Sequence, residues 1–502
     1  MRIAAVLLLV LGTVHVSAQA DGGTLSREAV DALGIDTPAG AEAYAAALDD
    51  AYAFRLAAAE EGFRQLADLE PGSVGGAYGM AGVALWRAFA IEEEDVFDRF
   101  YAINDSLQAA ADAQGYVLVG AVAKLQRALA FGRQERYTRA AGSFREACIR
   151  FRQLTGPDAA YGQGICQAAA GSVPRSYRWI ARLLGFRGSI ASGLALLDAS
   201  SSSGGLLAED ATIALAITDA TLNERRAGSV DRLVALADAR PDSPLLAYLA
   251  GYHLLLDRRA DEAEAALRRA KAALTTSDAD IPFVDAHLGV ALYRQHRFDE
   301  AIPLLESYVR TFRGRALVAQ STLYAGIARE MTGDRRRAES HYRRVRASRD
   351  YDVDLSAARE AERRLESPMT PAERLLVLGG TAYDGGRYDE AVAHLQPVVT
   401  DRDLPAVVRA EAAYRTGRAR QAQETWDDAL RHFRLAVDRR GDPMAKWGPW
   451  ALYHMGEVEE ARGAHGAAER IYQEVLDNEA EFDFHKSLEQ RARAAMERIR
   501  RS

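Results

Sequence analysis

Chemistry in this 502-residue chain would have to be done by ten histidines, two cysteines and a scatter of acidic pairs. A zinc protease needs two histidines one helical turn apart with a glutamate between them, and no HExxH occurs. Structural zinc needs thiolates or imidazoles at short spacing. Cys148 and Cys166 lie 18 residues apart without flanking ligands, and there is no CxxC. A serine nucleophile on a strand-to-helix elbow would appear as GxSxG, which is absent. The pairs His287/His296 and His454/His465 are too widely spaced for one helical face at i, i+4, and they read as exposed or packing residues. Glu92–Asp95 and Glu459–Glu460 are acidic clusters. Carboxylates do acid–base work only where a pocket drives their pKa values apart, and on exposed helices they are solvated. The glycine-rich run GFRGSIASG (185–193) has no Lys-Ser/Thr and follows a helical pattern instead of a strand, so a phosphate loop lacks its context. No catalytic residue, metal site or cofactor follows from these residues.

The elements that carry them are helical. Ala, Leu, Arg and Glu dominate, Pro is scarce, and β-branched runs are rare. In the C-terminal half a Gly and an Ala recur twelve residues apart: Gly251/Ala263, Gly289/Ala301, Gly326/Ala338, Gly379/Ala391, Gly417/Ala429 and Gly456/Ala468. Small residues allow two antiparallel helices to approach closely, so each pair predicts a helical hairpin with the Gly facing the Ala at the crossing. Four residues after the Ala comes a bulky side chain: Leu267, Leu305, Tyr342, Leu395, Phe433 or Tyr472. Successive glycines are 37 to 39 residues apart, except for a gap of 53 between Gly326 and Gly379. That gap holds an extra helical pattern near 352–367.

This period and pattern resemble the tetratricopeptide repeat, whose unit is about 34 residues. The resemblance implies an all-α fold, a right-handed superhelical array of antiparallel helix pairs. The expected organisation is a leader at 1–20, an irregular helical-repeat region at 21–240 with a loose lead-in over 21–40, six regular repeats at 241–480, and a capping helix at 481–502. Ala128/Ala140 keep the twelve-residue interval in the irregular part. The run Pro174…Trp179…Leu183-Leu184-Gly185-Phe186-Arg187-Gly188…Gly193-Leu194 is similar to the middle section of the tetratricopeptide-39 and inclusion-body-clearance family. Members of that family are mostly helical, and it offers no catalytic residues to carry over. Its eukaryotic members are intracellular, and this chain departs from them in carrying an export pattern.

That pattern is MRIAAVLLLVLGTVHVSAQA: a positive start, an apolar core, and a small-x-small site with cleavage after Ala20. It predicts a periplasmic or secreted chain without an integral membrane segment after cleavage. In an oxidising compartment Cys148 and Cys166 can pair. Helix axes about 8–10 Å apart are wide for a disulfide unless both side chains point inward, which leaves two buried thiols as the other reading. The net charge of −8 implies no basic face for nucleic acid.

The resemblance also says where partners would bind. The first helix of each hairpin lines the concave side, and its inward positions give Tyr248, Tyr252, Phe283, Val290, Tyr293, Leu323, Ile327, Tyr383, Tyr414, Arg418, Trp450 and Tyr453 as groove candidates. Tyr and Trp offer contact area with one polar handle. The same spacing fits aromatics packed between repeats. The expectation is therefore a non-catalytic scaffold for protein or peptide partners, with homo-oligomerisation open to it. The alternative is a cell-wall glycan-acting or accessory protein built on a helical superhelix.

Overall fold

The computed structural model describes residues 19–20, 24–173, 187–222, 228–346, 352–438, 446–478, 480, 482 and 484–500. Most of the 1–20 leader and residues 174–186 of the family-like motif lie outside this set. Among the described residues the regular structure is helical, apart from a two-residue antiparallel pairing of Gln19–Ala20 with Thr24–Leu25. The chain divides into two compact units. The first comprises Met1–Asp257, Ala265–Val284 and Thr311–Gly314; the second comprises Arg258–Glu264, Asp285–Arg310 and Arg315–Ser502. The division falls inside the Gly251/Ala263 hairpin.

The first unit opens on α1 (Arg27–Leu33), where the sequence predicts only a loose lead-in. Two local devices order it. Ser26 caps the start, its hydroxyl accepting from the Ala29 amide at 3.1 Å, and Gly34 closes the end at φ +66°. Ala29 and Leu33 then bury completely. Antiparallel pairs follow: α2 (Pro38–Tyr52) with α3 (Leu56–Leu69), α4 (Gly75–Ile91) with α5 (Glu94–Gln114), and α6 (Val117–Arg133) with α7 (Tyr137–Phe151). After these come α8 (Pro157–Ser172) with α9 (Ile190–Ser201), α10 (Ala208–Leu222), α11 (Ser229–Ala239), α12 (Pro244–Leu256) and α13 (Ala260–Ala273), which crosses the unit division. Asp278 caps α3 from 222 positions away, each carboxylate oxygen accepting from a first-turn amide (Leu56 and Ala57) at 2.7 Å. Cys148 on α7 and Cys166 on α8 are joined as a disulfide, with their Cα atoms 5.9 Å apart.

The second unit holds α14 (Phe283–Arg294, from Asp285 onward) with α15 (Phe298–Thr311), and α16 (Val318–Met331) with α17 (Arg335–Tyr342). The single helix α18 (Asp352–Glu366) fills the long gap. It is followed by α19 (Pro371–Asp384) with α20 (Tyr388–Thr400), α21 (Ala406–Ala422) with α22 (Trp426–Asp438), α23 (Trp447–Ala461) with α24 (His465–Leu476), and a final α25 (His485–Ile499).

The repeated Gly works differently from the expectation. Its closest neighbour is not the Ala but the bulky residue sixteen positions on, although at Gly289 the Ala301 carbonyl also lies 3.4 Å from an added methyl. A methyl added at Gly289 would sit 2.8 Å from Leu305 Cγ, at Gly326 2.6 Å from Tyr342, at Gly417 2.5 Å from Phe433, and at Gly456 2.5 Å from Tyr472. Gly379 meets Leu395 in the same way. The Ala contributes by being fully buried on the second helix, one turn before that knob. Seven residues after each Gly the turn passes through the left-handed region: Arg258, His296, Gly333, Gly386, Glu424 and Gly463, with φ between +57° and +91°. One backbone geometry thus reverses the chain in every hairpin, with or without glycine.

Within this unit the turns of non-adjacent hairpins meet. Arg387 donates to the Arg294 carbonyl at 2.5 Å, and Arg294 donates to the Asp384 carbonyl at 3.2 Å. The α14–α15 turn therefore packs on the α19–α20 turn, past the intervening α16–α17 pair.

Candidate binding cleft

The first helices of the second-unit hairpins share one side, and a cleft of about 1240 Å³ opens there. Tyr293 (α14), Leu323 and Ile327 (α16) and Leu376 (α19) give it an apolar wall. Tyr293 is held in place by its neighbours, its ring stacked on Tyr324 at 4.8 Å between centroids and edge-on to Phe298 at 5.4 Å. The extra helix α18 forms part of the wall with Leu355, Arg359, Glu360, Arg363 and Arg364. Glu373, Glu411, Arg415, Lys446, Trp447 and Phe484 complete it.

Anchoring of α18 starts from a buried acid. Glu330 on α16 is 2% exposed. It accepts from Arg335 at 2.8 Å, from the Tyr342 hydroxyl at 2.7 Å and from the Met369 amide at 2.8 Å. The Met369 amide ties down the segment that leaves α18, Arg335 and Tyr342 come from α17, and Arg335 also donates to the Arg364 carbonyl at 2.7 Å. A buried carboxylate needs such partners, because an unpaired one would cost several kcal/mol.

Charge in the cleft is answered by charge. Arg363 pairs with Glu360 at 2.8 Å and also with Glu373; Arg364 reaches Glu360 at 2.6 Å, and Arg415 reaches Glu411 at 2.7 Å. Burial alone would raise the Glu360 carboxyl. Arg364 and Arg363 outweigh it and hold the group below the ordinary range. Glu373 is also held low, with burial opposed by the Thr370 amide and Arg363. Arg415 lies over the Trp447 ring at 5.3 Å, and Lys446 lies 4.9 Å from the same ring. The buried Arg364 keeps one guanidinium nitrogen, Nη1, without a hydrogen-bond partner among the described residues.

Of the twelve groove candidates, Tyr293, Leu323 and Ile327 line this cleft. Val290 is buried and is not among the residues that line it. Tyr383 lies between two cations, Arg258 at 4.6 Å and Arg418 at 5.6 Å from its ring. Arg418 donates to His454 Nε2 at 2.6 Å, and His454 Nδ1 faces Glu457 at 2.5 Å, which also accepts from Gln421 at 3.1 Å. Because an arginine can only donate, His454 carries its proton on Nδ1. Burial first, then Arg418, pushes His454 down to about 4. For Glu457, burial works upward; His454 and Arg418 prevail and set it at about 2. Tyr414 and Trp450 pack on this histidine with ring centroids 5.9 Å away. Tyr453 is 1% exposed and packs on Tyr472, as a core residue. Tyr248, Tyr252 and Phe283 belong to the first unit, where their rings form a chain at 6.4 and 6.5 Å. Sequence reasoning missed the arginines of α18. Their helix was visible in the sequence, but nothing in its periodicity says on which side of the hairpins it lies.

The fold is an all-α array of tetratricopeptide-like helix pairs. No family model matches the chain, and no curated protein matches it. Among solved structures it is similar to a human IFIT1 dimer with PPP-AAAA, at 13% identity over 93% of this chain and 95% of that one, with a TM-score of 0.32. It is also similar to the APC/C hetero-tetramer Cut9-Hcn1 (15% identity, 90% and 96% covered, TM-score 0.24) and to yeast Tom70 (13% identity, 86% and 91% covered, TM-score 0.32). No helix among the described residues is long and apolar enough to cross a membrane.

Proposed function

We propose that this chain is an exported, non-catalytic scaffold of the tetratricopeptide type that holds a protein or peptide partner in the cleft of its second unit. The observation that carries this reading is the cleft itself. An apolar wall of Leu323, Ile327 and Leu376 runs beside the paired charges of Glu360, Arg363, Glu411 and Arg415. An extended peptide has the complementary features, alternating apolar side chains with carbonyl acceptors. Export rests on the leader pattern at 1–20, and kinship with the tetratricopeptide-39 family rests on the 174–194 motif.

Site-specific photo-crosslinking tests the cleft. A photoreactive residue at Leu355, which lines it, is expected to capture a discrete partner in the cells that make the protein. The same residue at Glu300, exposed on α15, is expected to capture none. Equal capture at both positions, or none at Leu355, counts against the reading. Fractionation with N-terminal sequencing tests export, with a mature chain expected to start at Asp21 outside the cytoplasm.

A further inference from the structure

His296, Glu390 and His394 converge although 94 residues separate the first from the second. His296 sits in the α14–α15 turn, and Glu390 and His394 are one helical turn apart on α20. Among the described residues this is the one place where three His, Cys, Asp or Glu side chains bring a ligand atom each within 4.8 Å of one another.

The hydrogen bonds decide how the first ring is protonated. His296 Nε2 is 3.0 Å from the Leu378 carbonyl, which can only accept. It is also 2.8 Å from the Thr381 hydroxyl, whose own proton has the Val377 carbonyl at 2.8 Å. Nε2 therefore carries the hydrogen, and in the neutral ring Nδ1 presents a lone pair. That lone pair faces Oε1 of Glu390 at 3.1 Å, and His394 Nε2 stands 3.6 Å from the same oxygen. Arg387 occupies the other carboxylate oxygen at 2.6 Å and leaves Oε1 to the histidines. The His296 Nδ1 lone pair and Glu390 Oε1 are thus two acceptors 3.1 Å apart, and a cation held by both and by His394 Nε2 would satisfy them. Metal-binding histidines are commonly oriented by a carbonyl on the far ring nitrogen, as His296 is here. Bonds of about 2.0–2.1 Å to a tetrahedral ion put neighbouring ligand atoms about 3.3–3.4 Å apart, which the two separations bracket.

We propose that His296, Glu390 and His394 bind a first-row divalent cation, with Zn²⁺ the best fit to two imidazoles and a carboxylate. Three protein ligands leave at least one position for water. The ion ties together two hairpins that are not neighbours in the chain, at the place where their turns already exchange hydrogen bonds. None of the three ligands lines the cleft, and the proposal does not rest on a partner there.

The test uses the full, untagged chain, stripped with EDTA and dialysed. Zn²⁺ is titrated in competition with a chromophoric chelator, and Co²⁺ is followed by its visible d–d absorption. One equivalent of each ion is expected to bind, with Co²⁺ bands typical of nitrogen–oxygen ligands. His394→Ala and Glu390→Gln are each expected to weaken Zn²⁺ binding at least tenfold, whereas His465→Ala leaves it unchanged. The circular dichroism of His394→Ala should match that of the wild type, since His394 is half-exposed. A wild-type chain with no stoichiometric site overturns the proposal whatever the variants do. Unchanged affinity in both His394→Ala and Glu390→Gln overturns it as well, because the metal then sits elsewhere.

Discussion

At the scale of single residues, two kinds of glycine carry the second unit, and they fail differently when changed. Gly417 is a hole for Phe433, whose ring is completely buried. A methyl there has nowhere to go, so Gly417→Ala is expected to destabilise by about 1–3 kcal/mol through overpacking. Gly333 has nothing within 4 Å of an added methyl, but it sits at φ +91°. Gly333→Ala is therefore a purely backbone change and should cost about 1 kcal/mol. Denaturant midpoints of the two variants check both magnitudes. Only Gly417→Ala should be rescued by trimming its neighbour, as in the double variant with Phe433→Leu. His454 and Glu457 add a pH dependence. His454 titrates at about 4 in the fold against an ordinary value near 6.5, so the unfolded chain binds more protons between those values and stability falls as pH drops through that window. Glu457, held at about 2, extends the loss downward from its ordinary value near 4.5. His454→Phe keeps the aromatic packing and removes the imidazole. A fluorescence-monitored midpoint for this variant should vary less with pH between 6.5 and 4 than that of the wild type.

At the scale of helices, the repeats were legible because two signals coincide in the sequence. Helical periodicity marks each segment, and the Gly–Ala interval fixes the register within a hairpin. The interval did not show which large residue fills the glycine's space, because the knob lies on the other helix and its direction depends on helix rotation. The place of α18 was hidden for another reason. Its anchoring acid, Glu330, belongs to α16 and looks in the sequence like one more charge on an amphipathic helix. Removing it should expose that role. Glu330→Ala leaves Arg335 and the Met369 amide without their buried acceptor and is expected to cost about 3–5 kcal/mol. If Glu330 holds α18 in place, hydrogen exchange should rise over 352–369 before it rises in α21–α24. The proposed metal triad was equally illegible, since no motif spans the 94 residues between a turn and a helix two hairpins later.

At the scale of the whole chain, the division into two units makes the disulfide informative. Cys148 and Cys166 both lie in the first unit, whereas Glu330, Gly417 and His454 lie in the second. Separation in sequence could not settle whether the cysteines meet, because that turns on which face each presents, and in the structure both face the same hairpin interface with Cα atoms 5.9 Å apart. Closing a loop of 18 residues restricts the unfolded chain by about 3 kcal/mol in the chain-entropy account. Reduction should therefore lower the unfolding free energy of the first unit by about 3 kcal/mol, read as an earlier midpoint, and leave the second unit's transition in place. The Cys148→Ser/Cys166→Ser double variant should match the reduced wild type, measured by limited proteolysis along a denaturant series so that each unit reports through its own fragments. Thiol titration of protein taken directly from the cell links this chemistry to compartment. An exported chain should show no free thiol until it is reduced, then two. Two free thiols before reduction would mean that the chain matures in a reducing compartment, and the export part of the proposal would fall while the cleft and the triad stood.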